Sequence, residues 1–351
     1  MTRRPTLKTI ADRVGVTVSA VSLALRDDPR ISATTRSRIQ EAAEALGYVY
    51  NRHAAGLRRG DSGTVAVCLN DLSNPFFTEF LGHMETRFRE AGRMMLFCHA
   101  HETPLIQARF IRQMAEHGAA GLILVPVEGT SRADLEGPRV RHLRDFPLVL
   151  ISRDVADTAF DRVINDDERG IRLLFEHLHA LGHRRLAWLG GGGDTSTAHD
   201  RERSFRREMD AAGLPIDETT MHHGPTSLAF GDSMLDELMA LPTPPTAIVC
   251  FSDVIAFGVL AACYRRGLRP GIDLSVTGFD DMGAAAYSAP ALTSVRVRTD
   301  LIGDRASELL LARIAGDRQP AVREMMPPEL VVRETTGPPP ETGMLPPRRR
   351  G

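Results

Sequence analysis

Residues 6–25 read TLKTIADRVGVTVSAVSLAL, and this stretch decides the fold of the N-terminal part of the chain. Its apolar residues recur at helical spacing in two groups, one on each side of a glycine. The groups are Leu7, Ile10, Ala11 and Val14, followed by Val21, Ala24 and Leu25. Thr6 and Thr17 stand at the N-cap positions of the two predicted helices, and Gly15 can supply the turn between them. Two short helices joined by a glycine turn are typical of a helix-turn-helix.

A third helix is predicted after Ser32, which stands at its N-cap. Gly47 stands where a helix commonly ends. The apolar stripe of this helix consists of Ile39, Ala42, Ala43 and Leu46. The three stripes can close one small core, so residues 1–50 predict a helical headpiece. A bundle of this size can also be purely structural, and the local pattern leaves that alternative open.

The charge of the chain is unevenly distributed. Residues 1–60 hold eleven Lys or Arg and five Asp or Glu, which gives a net charge of +6. The remainder of the chain holds 32 basic and 40 acidic residues, which gives a net charge of −8. A basic module on an acidic body favours a polyanionic partner at the N-terminal end. A solvated charged face is the alternative explanation.

Length and composition narrow the class of protein. A chain of 351 residues is too long for one ordinary domain, and 42% hydrophobic with 25% charged residues is typical of globular proteins. The sequence lacks an apolar run of 18 residues, and its charged N-terminus does not read as a signal peptide. The four cysteines form no CxxC pair. We therefore expect a cytoplasmic protein without a membrane partner, and one associated with the nucleoid if its polyanionic partner is DNA.

The headpiece also carries a longer pattern of small, apolar and hydroxylated residues at fixed spacing. Its members are Thr6, Ala11, Gly15, Val16, Thr17, Val21, Ser22, Leu25, Ile31, Ser32, Thr35, Arg36, Leu46, Gly47, Tyr48 and Asn51. This pattern resembles the LacI/GalR family of transcriptional regulators. Within that family, VSAVSLAL, NRHAAGLR and HRRLAWLGG are most similar to maltose regulon repressors.

The resemblance implies roles for individual residues on DNA. The second helix would enter the major groove, with Val18, Ser19 and Leu23 as the base-reading positions. Because leucine cannot hydrogen-bond to a guanine edge, Leu23 favours contact with a thymine methyl group. Phosphate contacts would come from Lys8, Thr17, Ser22, Arg30 and Arg36. Residues 51–62 would form a hinge that inserts Leu57 into the minor groove, with Arg52 and Arg58 beside it. A plain flexible linker is the alternative for this segment.

From residue 63 onward, apolar runs alternate with helical stretches, which predicts parallel sheets covered on both faces. The landmarks Asn74-Pro75-Phe76-Phe77, Gly182-His183-Arg184 and Gly278-Phe279-Asp280 resemble the family's two-lobed core, of the type I periplasmic-binding-protein kind. We therefore expect a multidomain chain with a small all-α helix-turn-helix headpiece and an α/β core over 63–336 with doubly wound parallel sheets. Lobe one would comprise about 63–162 and 292–322, and lobe two about 163–291 and 323–336. The proline-rich residues 337–351 predict a disordered tail.

The cleft between two such lobes is the expected place for a small effector. The resemblance implies Phe76 and Phe77 as one wall and Arg201 and Asp280 as polar anchors. Ser252 and Asp253 would lie nearby. Each has a structural alternative, since the two phenylalanines can belong to the core and Asp253 can cap a helix.

Enzyme chemistry finds little support in the sequence. Gly190–Gly193 is neither GxGxxG nor a P-loop and predicts a flexible loop above the cleft. The histidine pairs His99/His101, His177/His179 and His222/His223 lack site-like spacing with cysteines or carboxylates. We expect no catalytic residues, no metal and no cofactor.

The predicted function is that of a repressor that binds a pseudo-palindromic operator as a homodimer under the control of a sugar-like effector. The alternative is a solute-binding module or a sugar-handling enzyme without a role on DNA.

Overall fold

The computed structural model describes residues 5–49, 62–136 and 146–341. The chain divides into two compact units, residues 1–62 and 63–351.

The first unit is a bundle of three short helices. They are α1 (Leu7–Val14), α2 (Val18–Ala24) and α3 (Ala33–Ala45). Thr6 forms a capping box with Thr9 at the start of α1, and the hydroxyls of Thr17 and Ser32 accept backbone N–H bonds at the starts of α2 and α3. Gly15 ends α1 with φ of 74°, a left-handed conformation that favours glycine. The predicted caps and turn are confirmed.

The bundle closes around one small apolar core. Its buried members are Ile10, Ala11, Val21, Ala24, Ile39 and Ala43. Leu7, Val14, Leu25 and Leu46 pack against them while half-buried. The predicted stripes therefore meet as expected, and the polar faces of the helices stay available to solvent.

The second unit contains two α/β lobes, of which the first is built on a parallel sheet of order β11-β5-β4-β3-β1-β2. Its strands are β1 (Thr64–Leu69), β2 (Met94–His99), β3 (Gly121–Leu124), β4 (Leu148–Ser152), β5 (Asp161–Asn165) and β11 (Arg323–Met326). Its helices include α4 (Pro75–Glu90), α5 (Pro104–Glu116), α6 (Arg132–Glu136) and α11 (Thr299–Ile314). The inner strands β1, β3 and β4 are fully buried, as expected for a sheet covered on both faces.

The second lobe has a sheet of order β12-β10-β9-β8-β6-β7. Its strands are β6 (Leu186–Leu189), β7 (Met221–His222), β8 (Ala247–Cys250), β9 (Ser275–Asp280), β10 (Thr293–Arg296) and β12 (Glu329–Val331). Only the β10–β12 pair among these described strands is antiparallel. The helices between them are α7 (Asp167–Ala180), α8 (Ser196–Ala211), α9 (Leu228–Met239) and α10 (Asp253–Arg266).

The expected lobe boundaries are wrong at each crossing between the lobes. β5 pairs with β4 in the first sheet, so its last three residues belong to lobe one and not, as predicted, to lobe two. β10 pairs with β9 in the second sheet, and β11 pairs with β5 in the first. Strand membership depends on tertiary pairing, which an alternating apolar pattern does not encode. The chain therefore crosses between β5 and α7, between β10 and α11, and between β11 and β12.

One further boundary differs from the sequence prediction. The predicted tail 337–351 begins too early, since the carbonyl of Gly337 accepts a hydrogen bond from His183 at 2.8 Å. The hydroxyl of Ser275 lies 3.1 Å from the same carbonyl. Gly337 therefore belongs to the second lobe, and residues 342–351 lie outside the described part of the chain.

Candidate functional site

The first turn of α2 presents its side chains to solvent. Val18 is 43% exposed, and Thr17 and Ser19 are exposed beside it. Ser22 and Leu23 lie one turn later and are half-buried. A short helix with an exposed first turn is the shape that a major groove accepts.

The two arginines predicted to contact phosphates are engaged within the headpiece. Arg30 makes a bidentate pair with Asp28, with distances of 2.9 and 2.8 Å, and this pair holds the pKa of Asp28 well below its usual range. Arg36 donates to the backbone carbonyls of Asp28 and Ile31. Both arginines thus brace the loop between α2 and α3. Lys8 is exposed on α1.

The predicted hinge residues Leu57, Arg52 and Arg58 lie outside the described residues.

A cavity lies between the two lobes of the core, with about 460 Å³ of space including the part open to solvent. The first lobe lines it with Asn70, Asp71, Asn74, Phe76, Phe77, Glu102, Ser152 and Arg153. The second lobe contributes Thr197, Arg201, Thr226, Phe251, Ser252 and Asp280. Five of the six predicted effector residues are therefore brought together, Asp253 being the exception.

Arg201 is the centre of the second-lobe wall. Its Nε donates to Asp167 Oδ1 at 2.8 Å and its Nη1 to the carbonyl of Phe251 at 2.6 Å. The guanidinium stacks over the Phe279 ring, 3.6 Å from the centroid. Its Nη2 lies 3.7 Å from Asp280 Oδ1, a distance beyond a good hydrogen bond. Arg201 is therefore locked by Asp167 and only loosely paired with Asp280.

The carboxylates around Arg201 are deeply buried. Asp167 and Asp280 are 5% and 4% exposed. Burial raises the pKa of Asp280 well above its usual range, and the Arg201 charge opposes this only in part. Burial also raises the pKa of Asp167 in spite of its bond to Arg201. A ligand that donates hydrogen bonds to Asp280 would stabilise its ionised form.

Glu102 organises the opposite wall. Arg153 donates to both of its carboxylate oxygens, at 2.9 and 2.8 Å, and Asn70 Nδ2 donates at 2.6 Å. Burial tends to raise the pKa of Glu102, but these donors outweigh burial and the pKa lies below its usual value. Each cavity arginine thus has a carboxylate of its own.

Two polar atoms of the cavity wall have no partner among the described residues. Ser252 Oγ and Asn70 Oδ1 are buried without a hydrogen bond, and both residues are 1% exposed. Leaving such an atom unsatisfied costs about 1–3 kcal/mol. A bound polar molecule could supply the missing bonds.

Asp253 does not line the cavity, so its predicted effector role is wrong. Its side chain is fully buried and accepts from Met282 N at 2.8 Å and from Ser294 Oγ at 2.5 Å. Nor does it cap the helix, because Ser252 occupies the N-cap position. Asp253 instead joins the start of α10 to β10 and to the loop after β9.

The sequence prediction missed much of the first-lobe wall. Asn70 directly follows β1, Ser152 ends β4, and Arg153 comes next. Polar residues at the carboxyl ends of parallel strands meet at one edge of a sheet, where ligands bind. That rule would have found these residues. Glu102 carries no comparable signal, since it lies in the loop between β2 and α5.

The four-glycine segment packs closely, which explains its composition. A Cβ on Gly190 would lie 2.5 Å from the Cβ of Phe251, and one on Gly193 would lie 3.1 Å from the carboxylate of Glu128. The N–H of Asp194 donates to Glu128 Oε1 at 3.1 Å, and the N–H of Gly129 donates to the carbonyl of Asp194. These hydrogen bonds connect the two lobes.

Neither metal chemistry nor membrane insertion is indicated by the part of the chain that the structure describes. Across residues 5–49, 62–136 and 146–341, no three His, Cys, Asp or Glu side chains are placed to hold a metal ion. Within the same ranges, no helix is both long enough and apolar enough to span a bilayer.

Known proteins share both parts of this architecture. Residues 6–51 match the sequence family described as bacterial regulatory proteins, lacI family, and residues 175–336 match a periplasmic binding protein-like domain. The transcriptional regulator DegA of Bacillus subtilis is 31% identical over 336 residues, covering 95% of this chain and 99% of DegA. The transcriptional repressor PurR of Vibrio cholerae is 28% identical, covering 94% of this chain and 97% of PurR.

The fold comparison agrees with the sequence comparison. A crystal structure of the Lac repressor dimer bound to operator and the anti-inducer ONPF superposes with a TM-score of 0.84. It shares 24% identity and covers 95% of this chain and all of that one.

A helix-turn-helix headpiece on a periplasmic-binding-protein-like core defines a class, the DNA-binding transcriptional repressors with a two-lobed regulatory core. This chain belongs to the lacI family of bacterial regulatory proteins within that class. The predicted fold class is confirmed. The relatives are transcriptional regulators and not enzymes, which agrees with the sequence prediction.

Proposed function

We propose that the chain represses transcription in the cytoplasm by binding a pseudo-palindromic operator as a homodimer, and that a sugar or sugar derivative in the interlobe cavity changes its operator affinity. The observation that carries the proposal is one chain with an exposed helix-turn-helix and a polar cavity between two lobes. The narrower likeness to maltose regulon repressors rests on sequence motifs and stays a proposal.

The headpiece supports the DNA role through its exposed surface. Val18 and Ser19 would read base edges from the first turn of α2, with Leu23 behind them. Thr17 and Ser22 would contact phosphates through their hydroxyls, and Lys8, Arg30 and Arg36 would add positive charge. One headpiece buries too little surface for tight specific binding, so two must act together at a fixed half-site spacing.

The hinge residues would complete the DNA contact. Leu57 would wedge into the minor groove, and Arg52 and Arg58 would meet the phosphates of the bent duplex.

The cavity supports effector control because both lobes contribute to it. Phe76 and Phe77 line one side, while Arg201, Ser252 and Asp280 line the other. A ligand that touches both lobes binds the closed arrangement better than an open one, and so shifts the population between them. The first lobe begins directly after the predicted hinge. Closure of the two lobes would therefore change the spacing of the two hinges in the dimer, and with it the operator affinity.

The proposal is tested by fluorescence anisotropy of the purified chain on its own upstream DNA, at two salt concentrations and with genomic competitor. We expect saturable binding that weakens with salt and with Leu57→Ala. Ser19→Glu should abolish it, because a carboxylate on the exposed face of α2 would repel phosphates.

Ala45→Glu is the matched control, since it adds the same charge at an exposed position at the end of α3. If the protein bound its own upstream DNA no more tightly than random DNA, the first conclusion would be that it does not regulate its own gene. Failure of a genome-wide selection of bound fragments would then refute the DNA role.

A further inference from the structure

Two cysteines occupy paired positions on neighbouring strands of the first lobe. β1 and β2 are parallel, and their register places Cys68 directly beside Cys98. Paired residues of adjacent parallel strands send their side chains to the same face of the sheet, and adjacent strands lie about 4.8 Å apart. This spacing falls within the Cα–Cα range of about 4.4–6.8 Å that a disulfide spans. The two thiols can therefore be joined without a change of strand register.

Both side chains face one small apolar core but differ in their access to solvent. Cys68 is fully buried in the core cluster that includes Leu122 and, from α5, Ile111. Cys98 packs against this cluster while half-buried. β2 is the edge strand of its sheet, and β1 is the one strand that pairs with it among the described strands. Cys98 is therefore the accessible thiol of the pair, and Cys68 lies behind it.

The two thiols also differ in how readily they ionise. Cys68 donates a hydrogen bond to Cys98, and this bond lowers the pKa of Cys98 from the ordinary 9.0 to about 7, although partial burial opposes the change. The same hydrogen bond, together with burial, raises the pKa of Cys68. Cys98 is therefore the thiolate of the pair. The thiolate is the form of cysteine that attacks oxidants.

The other two cysteines of the chain provide an internal comparison. Cys250 and Cys263 are buried in the second lobe, and neither is bonded to another cysteine. Burial raises the pKa of Cys250 well above its usual range and that of Cys263 to about 12. Both stay protonated at neutral pH, so they should be inert where Cys98 reacts.

We propose that Cys98 and Cys68 form a peroxide-reactive site, in which Cys98 reduces hydrogen peroxide and Cys68 then closes a reversible disulfide between β1 and β2. In the first step the sulfur of Cys98 attacks one peroxide oxygen and the O–O bond breaks. The other oxygen takes the proton of the Cys98 thiol and leaves as water, and Cys98 becomes a sulfenic acid.

The second step uses the buried thiol. The sulfur of Cys68 attacks the sulfur of Cys98, the S–O bond breaks, and the hydroxyl group leaves as water with the proton of Cys68. One peroxide molecule thus accepts two electrons from two thiols and yields two molecules of water. A dithiol reductant would reverse the reaction by thiol–disulfide exchange.

The site lies where β1 and β2 lead into the cavity wall. Asn70 directly follows β1, and Glu102 lies in the loop after β2. Asn70 Nδ2 donates to the Glu102 carboxylate at 2.6 Å, and the N–H of Glu102 donates to the carbonyl of Asn70 at 3.1 Å. A bond between Cys68 and Cys98 would therefore tie together the two strands that position these groups.

The experiment treats the reduced full chain with an equimolar amount of hydrogen peroxide, blocks the remaining thiols with iodoacetamide, and maps its tryptic peptides by mass spectrometry without reductant. We expect a disulfide between the peptides 60–87 and 94–109, which contain Cys68 and Cys98. Dithiothreitol should remove it. In the untreated protein, iodoacetamide should alkylate Cys98 about tenfold or more faster than Cys250 or Cys263, because one pKa unit changes the thiolate fraction about tenfold.

Two variants separate the two steps. Cys98→Ser should leave Cys68 reduced under the same treatment. Cys68→Ser should stop at the sulfenic acid of Cys98, which dimedone captures. Cys250→Ser is the matched control, and it should form the disulfide as the wild type does.

Three outcomes would overturn the proposal. They are alkylation of Cys98 no faster than that of Cys250, oxidation of Cys98 while Cys68 stays reduced, and a disulfide that joins the Cys98 residues of two chains. The last would appear as a dimer on a non-reducing gel. The peptide map of the wild type decides between these results and the expected one whether or not each variant folds.

Discussion

Arg201 Nε lies 2.8 Å from Asp167 Oδ1, and the two side chains form a buried ion pair that reaches from α8 to the first turn of α7. The pair fixes the guanidinium in the cavity wall. Arg201 thus combines a structural role with the ligand-binding role that we propose for it.

Removing Arg201 should therefore destabilise the core strongly. Arg201→Met would leave Asp167 and Asp280 buried without their positive partner, a change that costs about 3–5 kcal/mol when a buried pair is broken. Urea unfolding of both proteins measures the difference. Arg203→Met on the same helix is the control, because that side chain is 57% exposed and its ion pairs contribute at most about 1 kcal/mol. Equal losses in the two variants would refute the buried-pair account.

Asp253 should make the stability of the protein depend on pH. Burial raises its pKa to about 7, above the ordinary 3.8. Between these values the unfolded state releases the proton while the folded state keeps it, so rising pH penalises folding, by about 1.4 kcal/mol per pKa unit. Asp253→Asn removes this penalty. We expect the variant to gain stability relative to the wild type as the pH rises from 4 to 7, measured by urea unfolding. A difference in the free energy of unfolding that does not change with pH would contradict the raised pKa of Asp253.

Glu128 should restrain the loop before α8. Its carboxylate accepts from Asp194 N, and its own N–H donates to Glu102, which in turn holds Asn70 and Arg153 of the cavity wall. Glu128→Ala should accelerate amide exchange around residues 190–196 about fivefold, the effect of losing a hydrogen bond of about 1 kcal/mol. Glu128→Gln keeps an accepting oxygen and serves as control. Unchanged amide exchange in the alanine variant would contradict this role of Glu128.

Thr17 should separate helix capping from DNA binding. Its hydroxyl accepts from Ala20 N at 3.1 Å and lies on the exposed start of α2. Thr17→Ala should cost the headpiece about 1 kcal/mol, followed by circular dichroism, and should also weaken operator binding. Thr17→Asp restores a good cap but adds a charge that repels phosphates, so its headpiece should be stable and its DNA affinity low. Wild-type affinity in the aspartate variant would exclude Thr17 from the DNA surface.

The sequence predictions were accurate for interactions between residues close together in the chain and inaccurate for interactions between distant residues. The caps at Thr6, Thr17 and Ser32 were predictable because each depends on a backbone N–H within three residues. The sheets of β5, β10 and β11 were not, because strand pairing links residues far apart in sequence.

The cavity residues show the same dependence on sequence separation. Arg201 and Asp280 were predicted through the family resemblance, and both line the cavity. Glu102 was missed because its significance depends on Arg153, 51 residues further along the chain. Asp253 was misplaced because the sequence alone does not distinguish a cavity carboxylate from one that bonds to a neighbouring strand.

The most direct test of the central claim, that this chain is a sequence-specific repressor, is selection of bound fragments from its own genome by the full-length protein. We expect enrichment of sites with two inverted half-sites about one helical turn apart, as a dimer of helix-turn-helix headpieces requires. Ser19→Glu should lose these sites and Ala45→Glu should retain them. Enrichment of no sequence above bulk DNA, at a salt concentration where the protein still binds DNA, would contradict the account.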